Sequence, residues 1–249
     1  MNETLRDLPA LSAQMIVTAW ELGRNRHPVD RALLLLALAC PALSPASLST
    51  LTVGQRNACL LILRQRTLGV SAACLVECPA CQTPLEFTVD TTTLLEPAPA
   101  AITGQVSMPH WRIDYRLPTS LDLAAIASQS ALTTARRQLI ERCITRVECD
   151  GQELETPALP ETVIGALATA IVEQDPQVEM AFKLSCSTCE HHWTGVFDIV
   201  AFFWEELEVR ARQLLQEVHT LASAYGWHEN AILALSPLRR QAYLELVRL

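Results

Sequence analysis

The stretch Cys78-Pro79-Ala80-Cys81 constrains this chain most, because it has an echo at Cys186-Ser187-Thr188-Cys189. Each pair follows a short apolar run, Ala73-Cys74-Leu75-Val76 or Ala181-Phe182-Lys183-Leu184. Each precedes strand-like residues, Leu85-Glu86-Phe87-Thr88-Val89 or His192-Trp193-Thr194-Gly195-Val196-Phe197. Each then reaches an aspartate suited to cap a helix, Asp90 or Asp198. The unit strand, Cys-x-x-Cys turn, strand, Asp therefore occurs twice and predicts two hairpins, the halves of a split zinc ribbon. A zinc ion takes four thiolates tetrahedrally at about 2.3 Å, and two such turns supply two each. The expected ligands are Cys78, Cys81, Cys186 and Cys189, holding one structural Zn²⁺ per chain. With all four positions filled by sulfur, no catalysis is expected at the metal. Reduced thiols in tight turns and a redox Cys-x-x-Cys are the alternatives. His191, His192 or Cys74 are the spare ligands. Two pairs in matching contexts favour a shared ion.

The cysteine count has to be read against compartment. There are nine cysteines, and the chain begins Met1-Asn2-Glu3-Thr4. That polar start lacks the basic and apolar regions of a secretory leader. A reducing cytoplasm is the expectation, and there such pairs read as metal ligands. The longest apolar run, 32–40, is too short to cross a bilayer. Net charge is −8, which argues against broad nucleic-acid or anionic-membrane binding.

Around the two hairpins the periodicity is helical, so the predicted fold is mainly α with small β-hairpins. The expected divisions are a helical region 1–70, a first knuckle 71–95, a mostly helical insert 96–177, a second knuckle 178–198 and a helical region 199–249. In the first region Asp30 is expected to open a helix over 31–40, and Thr52 one over 53–68 that Gly69 ends. Arg56, Arg64 and Arg66 on it read as solvated or salt-bridged. In the insert a hairpin is expected over 105–117, with helices over 131–147 and 161–174. Arg136, Arg137, Arg142 and Arg146 share the first of these helices. After Asp198 apolar residues keep helical spacing to Gly226, about seven turns. Glu205, Glu206 and Glu208 on it read as a solvated face. Two shorter helices complete a C-terminal three-helix unit. No phosphate-binding glycine loop, dinucleotide fingerprint or His-Glu-x-x-His occurs.

Several segments together resemble a known family. They are Trp20-Glu21-Leu22-Gly23 with Asp30-Arg31, Gly54-Gln55-Arg56, both Cys-x-x-Cys turns, Pro118-Thr119-Ser120-Leu121-Asp122, Phe202-Phe203-Trp204-Glu205-Glu206, Tyr225-Gly226-Trp227 and Ser236-Pro237-Leu238-Arg239-Arg240. The family is that of phage baseplate proteins related to the hub assembly proteins of T-even-type phages, with homologues in contractile injection system clusters. The second knuckle departs slightly, with Ser187 where the first has Pro79. The resemblance implies a non-enzymatic assembly factor, chaperone or structural component that binds hub, spike or tape-measure proteins, in the cytoplasm during assembly. It implies no small-molecule substrate. The C-terminal helices, around Tyr225, Trp227, Ile232, Arg239, Arg240 and Tyr243, are the expected partner face, since aromatics with arginine anchor many interfaces. The alternative is that these aromatics pack the tail's own core. A nucleic-acid-binding zinc-ribbon protein is the second functional reading.

Overall fold

The computed structural model describes residues 7–155 and 158–247; the polar start Met1-Asn2-Glu3-Thr4 lies outside them. Among the described residues four helices come first: α1 (Ala13–Gly23), α2 (Pro28–Ala39), α3 (Pro45–Ser49) and α4 (Val53–Leu68). Each start is written locally. Ser12, Ser44 and Thr52 accept from backbone amides of the first turn, and α2 and α3 open on proline, whose missing N–H costs nothing there. The start expected at Asp30 lies earlier, at Pro28. His27 caps it by accepting from the Val29 amide at 3.3 Å, and Asp30 sits in the first turn. In α4, Thr52 and Gln55 form a full capping box, and Gly69 ends the helix at φ 95°.

The first hairpin pairs β1 (Ser71–Glu77) with β2 (Pro84–Asp90), placing Cys74 opposite Phe87 and Val76 opposite Leu85. Asp90 then caps a single 3-10 turn, Thr91–Leu94, accepting from the Thr92 amide at 2.9 Å. The insert departs from expectation. It runs β3 (Thr103–Met108), β4 (Trp111–Arg116), α5 (Ser120–Ile126), α6 (Leu132–Cys143), β5 (Ile144–Cys149), β6 (Gln152–Glu153) and α7 (Glu161–Gln174). The helix expected over 131–147 stops at Cys143, and the next six residues join a four-stranded sheet of order β3-β4-β5-β6. The free edge of β4 takes them, with Ile113 opposite Val147. The insert is thus a mixed sheet-and-helix unit rather than a mostly helical one.

The second hairpin pairs β7 (Met180–Ser185) with β8 (His192–Phe197). Asp198 caps α8 (Ile199–Tyr225) through the amides of Val200 and Ala201, and Gly226 ends it in the left-handed region at φ 68°. Its 27 residues span about 40 Å. Two short helices follow, α9 (Glu229–Leu233) and α10 (Pro237–Val247).

Two apolar cores result. The larger joins α1, α2 and α4 to the buried side of α8 and to α9 and α10, and Met180 and Phe197 of the second hairpin enter it. The smaller lies inside the insert, around Ile113, Tyr115, Val147, Leu167 and Ile171. Long-range contacts tie the pieces. Gly23 lies so close to the Trp204 ring that a Cβ there would sit 2.4 Å from it. Arg31 lies over the Trp204 ring, 4.4 Å from its centroid, while donating to the Gly23 carbonyl at 3.0 Å. Gly54 is equally constrained: a Cβ would fall 2.1 Å from a carboxylate oxygen of Asp175. That buried aspartate, at the end of α7, accepts from the Thr52 hydroxyl and serves the N-terminus of α4 from 123 residues away. Burial pushes its carboxyl up.

Asp122 of α5 behaves oppositely. It is 1% exposed, receives Arg116 at 2.6 and 2.8 Å and Arg142 at 3.2 Å, and accepts from Thr119. Burial alone would raise its carboxyl, but the Arg116 and Thr119 hydrogen bonds hold it at about 2. Its folded value lies below the unfolded 3.8, so the stabilisation is complete above that value and is lost as pH falls through the folded one. The loss amounts to about 2 kcal/mol between roughly pH 4 and pH 2. Urea midpoints recorded over that range should fall more steeply for the wild type than for Asp122→Asn; parallel profiles would refute the assignment.

Candidate metal centre

The two Cys-x-x-Cys turns are built alike although their sequences differ between the cysteines. In the first, the Cys78 amide donates to Thr83 O at 3.0 Å and the Gln82 amide to Cys78 O at 2.8 Å. In the second, the Cys186 amide donates to His191 O at 2.9 Å and the Glu190 amide to Cys186 O at 3.0 Å. The residue after each second cysteine is left-handed, Gln82 at φ 60° and Glu190 at φ 58°. Neither is glycine, so each costs on the order of 1 kcal/mol and is held by the surrounding hydrogen bonds. These two left-handed residues carry no signature a sequence reader would find.

The turns meet. All four sulfurs lie within 4.8 Å of one another. Cys78 Sγ is 3.7 Å from Cys189 Sγ, and Cys81 Sγ is 3.6 Å from Cys186 Sγ. The first cysteine of each pair is buried and the second is at the surface. Each buried sulfur therefore faces the exposed sulfur of the other turn. Four thiolates about 2.3 Å from a common centre stand about 3.8 Å apart along a tetrahedron's edge, and the two short separations match that edge. A disulfide needs about 2.05 Å, so none of the short pairs is one. Donor type and spacing both fit a tetrahedral thiophilic ion.

The local electrostatics point the same way. The Thr83 hydroxyl, 3.2 Å from Cys81 Sγ, holds that thiol at about 6. The Thr188 amide donates to Cys186 Sγ at 3.4 Å, and amide donors lower Cys186 as well. Cys189 accepts a lowering hydrogen bond from the His191 backbone, yet the neighbouring thiols of Cys81, Cys186 and Cys78 push it up to about 12. Donors to Cys81 and Cys186 favour their thiolates, while the sulfurs crowded around Cys189 oppose its ionisation unless a cation joins them. Neither histidine enters the cluster: His191 stacks on Trp193, ring centroids 5.9 Å apart. Cys74 lies inside β1, opposite Phe87, and is not among the four.

Among the described residues no strand pairing joins the two hairpins. They are separate two-stranded sheets. An aromatic chain links them, Phe87 to Phe182 at 6.4 Å, Phe182 to Phe197 at 5.6 Å and Phe197 to Phe202 at 5.0 Å. It leads from the first hairpin through the second to α8.

The expected partner residues divide. Ile232 is fully buried in the larger core, and Arg240 is buried in an ion pair with Glu217 while donating to Leu235 O at 3.1 Å, so neither offers a side chain to a partner. Tyr225, Trp227 and Tyr243 pack on one another with centroids 4.8 to 5.8 Å apart, closing α8 onto α10. Tyr225 keeps an exposed edge, and Arg239 is exposed. Three of the four insert arginines are spent within the chain: Arg137 on Glu141 and Glu161, Arg142 on Asp122, Arg146 on Glu148 and Glu153.

Fold and site together define a mainly helical chain gathered around a four-cysteine centre, with a sheet-bearing unit inserted between the two ligand pairs. A family model described as "T4 bacteriophage base plate protein" matches residues 29–204, which is more than half of the chain, and the chain belongs to that family. The matched stretch runs from α2 to the start of α8 and contains both knuckles and the whole insert. Comparisons with curated proteins and with solved structures give no match. Among the described residues no helix is long and apolar enough to cross a membrane.

Proposed function

We propose that this chain is a non-enzymatic component or assembly factor of a contractile-tail baseplate, acting by protein–protein binding with a structural zinc in its four-cysteine centre. Membership of the baseplate family is the observation that carries the reading. The sulfur geometry supports the metal: Cys78, Cys81, Cys186 and Cys189 would hold it, and bound zinc would supply cross-linking rather than chemistry, since four sulfurs leave no position for water. The partners are hub, spike or tape-measure proteins, met in the cytoplasm during assembly. Contractile injection systems belong to the same proposal. Nucleic-acid binding is the weaker reading, because three of the four arginines that suggested it, Arg137, Arg142 and Arg146, are paired internally.

Elemental mass spectrometry on chelator-free protein should find one zinc per chain, and Cys186→Ser should lose it. Co-expression with the hub, spike and tape-measure products should give a complex that survives purification. Metal-free wild type would remove the zinc from this account, and failure to retain any of the three products would remove the binding role.

A further inference from the structure

The insert has more apolar surface than its own core uses. On α6, Ile140 and Cys143 point into the smaller core, as one stripe of an amphipathic helix should. A second stripe, Leu132, Ala135 and Leu139, follows the spacing i, i+3, i+7 and stays open to solvent to differing degrees, Leu132 being 84% exposed. On α7, Val163, Ile164, Leu167 and Ile171 fill the core, Ala168 packs partly against it, and Val172 is half-buried beside it. The two surplus stripes face a common groove of 620 Å³. Leu132, Ala135, Leu139, Ala168 and Val172 all line it.

Its rim is charged and asymmetric. Arg136 stands on the α6 side, and Glu173 and Glu179 on the other. The three nearest arginines in sequence are paired within the chain, but Arg136 has no ion-pair partner among the described residues, nor have Glu173 and Glu179. An apolar trough with unmatched charges of opposite sign along its two edges is shaped for a convex occupant. A second groove of the same kind could not fill it.

We propose that this groove receives an amphipathic α-helix of a baseplate partner, with aliphatic side chains in the trough, a carboxylate against Arg136 and basic side chains against Glu173 and Glu179. The 12 residues of α6 span about 18 Å, enough to seat about three turns of such a helix. The inference rests on the protein-binding role proposed above and moves its centre from the C-terminal helices, whose aromatics serve their own packing, to the insert.

The probe is a fluorescein-labelled peptide of about 14 residues, with leucines at i, i+3, i+7 and i+10, glutamates along one edge and lysines along the other, read by anisotropy. Binding to the full-length metal-loaded protein should weaken at least about tenfold in Leu132→Glu, a residue too exposed to matter for folding, and in Leu139→Glu. Arg136→Glu should weaken it severalfold at low salt and less at high salt. No binding to wild type, or equal binding to both leucine variants, overturns the proposal. So does wild-type self-association that Leu132→Glu abolishes, since the occupant would then be a second copy, whose exposed Leu238 and Leu246 offer a convex stripe. If hub, spike or tape-measure protein co-purifies equally with wild type and Leu132→Glu, this groove is not the site and the binding role stands. If none co-purifies with wild type, that role falls, and the peptide alone decides the groove.

Discussion

Replacing Cys186 by Ser is expected to release the metal and lower stability by several kcal/mol, with the two hairpins separating before the helices melt. Structural zinc contributes on the order of 10 kcal/mol of apparent binding energy in small domains, and a site that forms only in the folded state adds that energy to folding. The hairpins share no strand pairing, and the direct ring contact between them is the 6.4 Å edge contact of Phe87 with Phe182. The helical core has its own buried leucines and should outlast the centre. Guanidinium unfolding followed by far-UV circular dichroism and by hydrogen exchange should therefore show early loss of protection in residues 71–90 and 180–197, with a later helical transition. A chelator should reproduce this in the wild type. A single unshifted transition in Cys186→Ser would mean that the hairpins are held by something other than the four sulfurs.

The second large loss is expected from Arg64→Ala, about 3–5 kcal/mol. Arg64 lies inside α4 with 2% of its side chain exposed. Its guanidinium meets Glu206 of α8 through two hydrogen bonds, at 2.9 and 2.6 Å, and also donates to Gly69 O at 2.6 Å and Ser71 O at 2.8 Å. It thus fixes the end of α4, the entry to β1 and the long helix in one stroke. Truncation leaves Glu206 only 26% exposed without its cation and two backbone carbonyls without a donor, the situation in which buried ion pairs prove most costly to break. Arg64→Lys should recover little, because a single ammonium cannot serve a carboxylate in fork geometry and two carbonyls on separate sides. Urea titration of Arg64→Ala, Glu206→Gln and the double variant would give a coupling well above 1 kcal/mol; additive losses would show the pair to be incidental.

What the sequence disclosed was local. Thr52, Asp90, Asp198 and Gly226 mark helix ends by their own side chains or lack of one, and each sits where the pattern placed it. The paired Cys-x-x-Cys turns were readable because a repeated unit carries its own control. What stayed hidden depended on partners far away in the chain. Ile144 and Val147, three residues apart, fit a helical period and not the strand period of two; a register shift against Asp114 and Tyr115 lets the open edge of β4 take both. Glu206 looked like one of three solvated glutamates until Arg64, 142 residues distant, claimed it. Gly54 is a glycine near the start of a helix with no positive φ to explain it. Its reason is the Asp175 carboxylate lying where a Cβ would go. Ile232 and Arg240 look like interface anchors in one dimension and turn out to be interior.

The separation of the two ligand pairs also sets a clock. Cys81 and the Cys186 that faces it lie 105 residues apart, with the entire sheet-bearing unit between them. A ribosome adding roughly 5–20 residues per second needs about 5–20 s to cover that distance. During that interval the first pair waits as an open, two-toothed claw while the intervening unit, with its own interior, has time to fold. The proposed zinc would close the ring only on a chain that is already mostly made, so its binding would double as a report that everything between residues 81 and 186 has emerged.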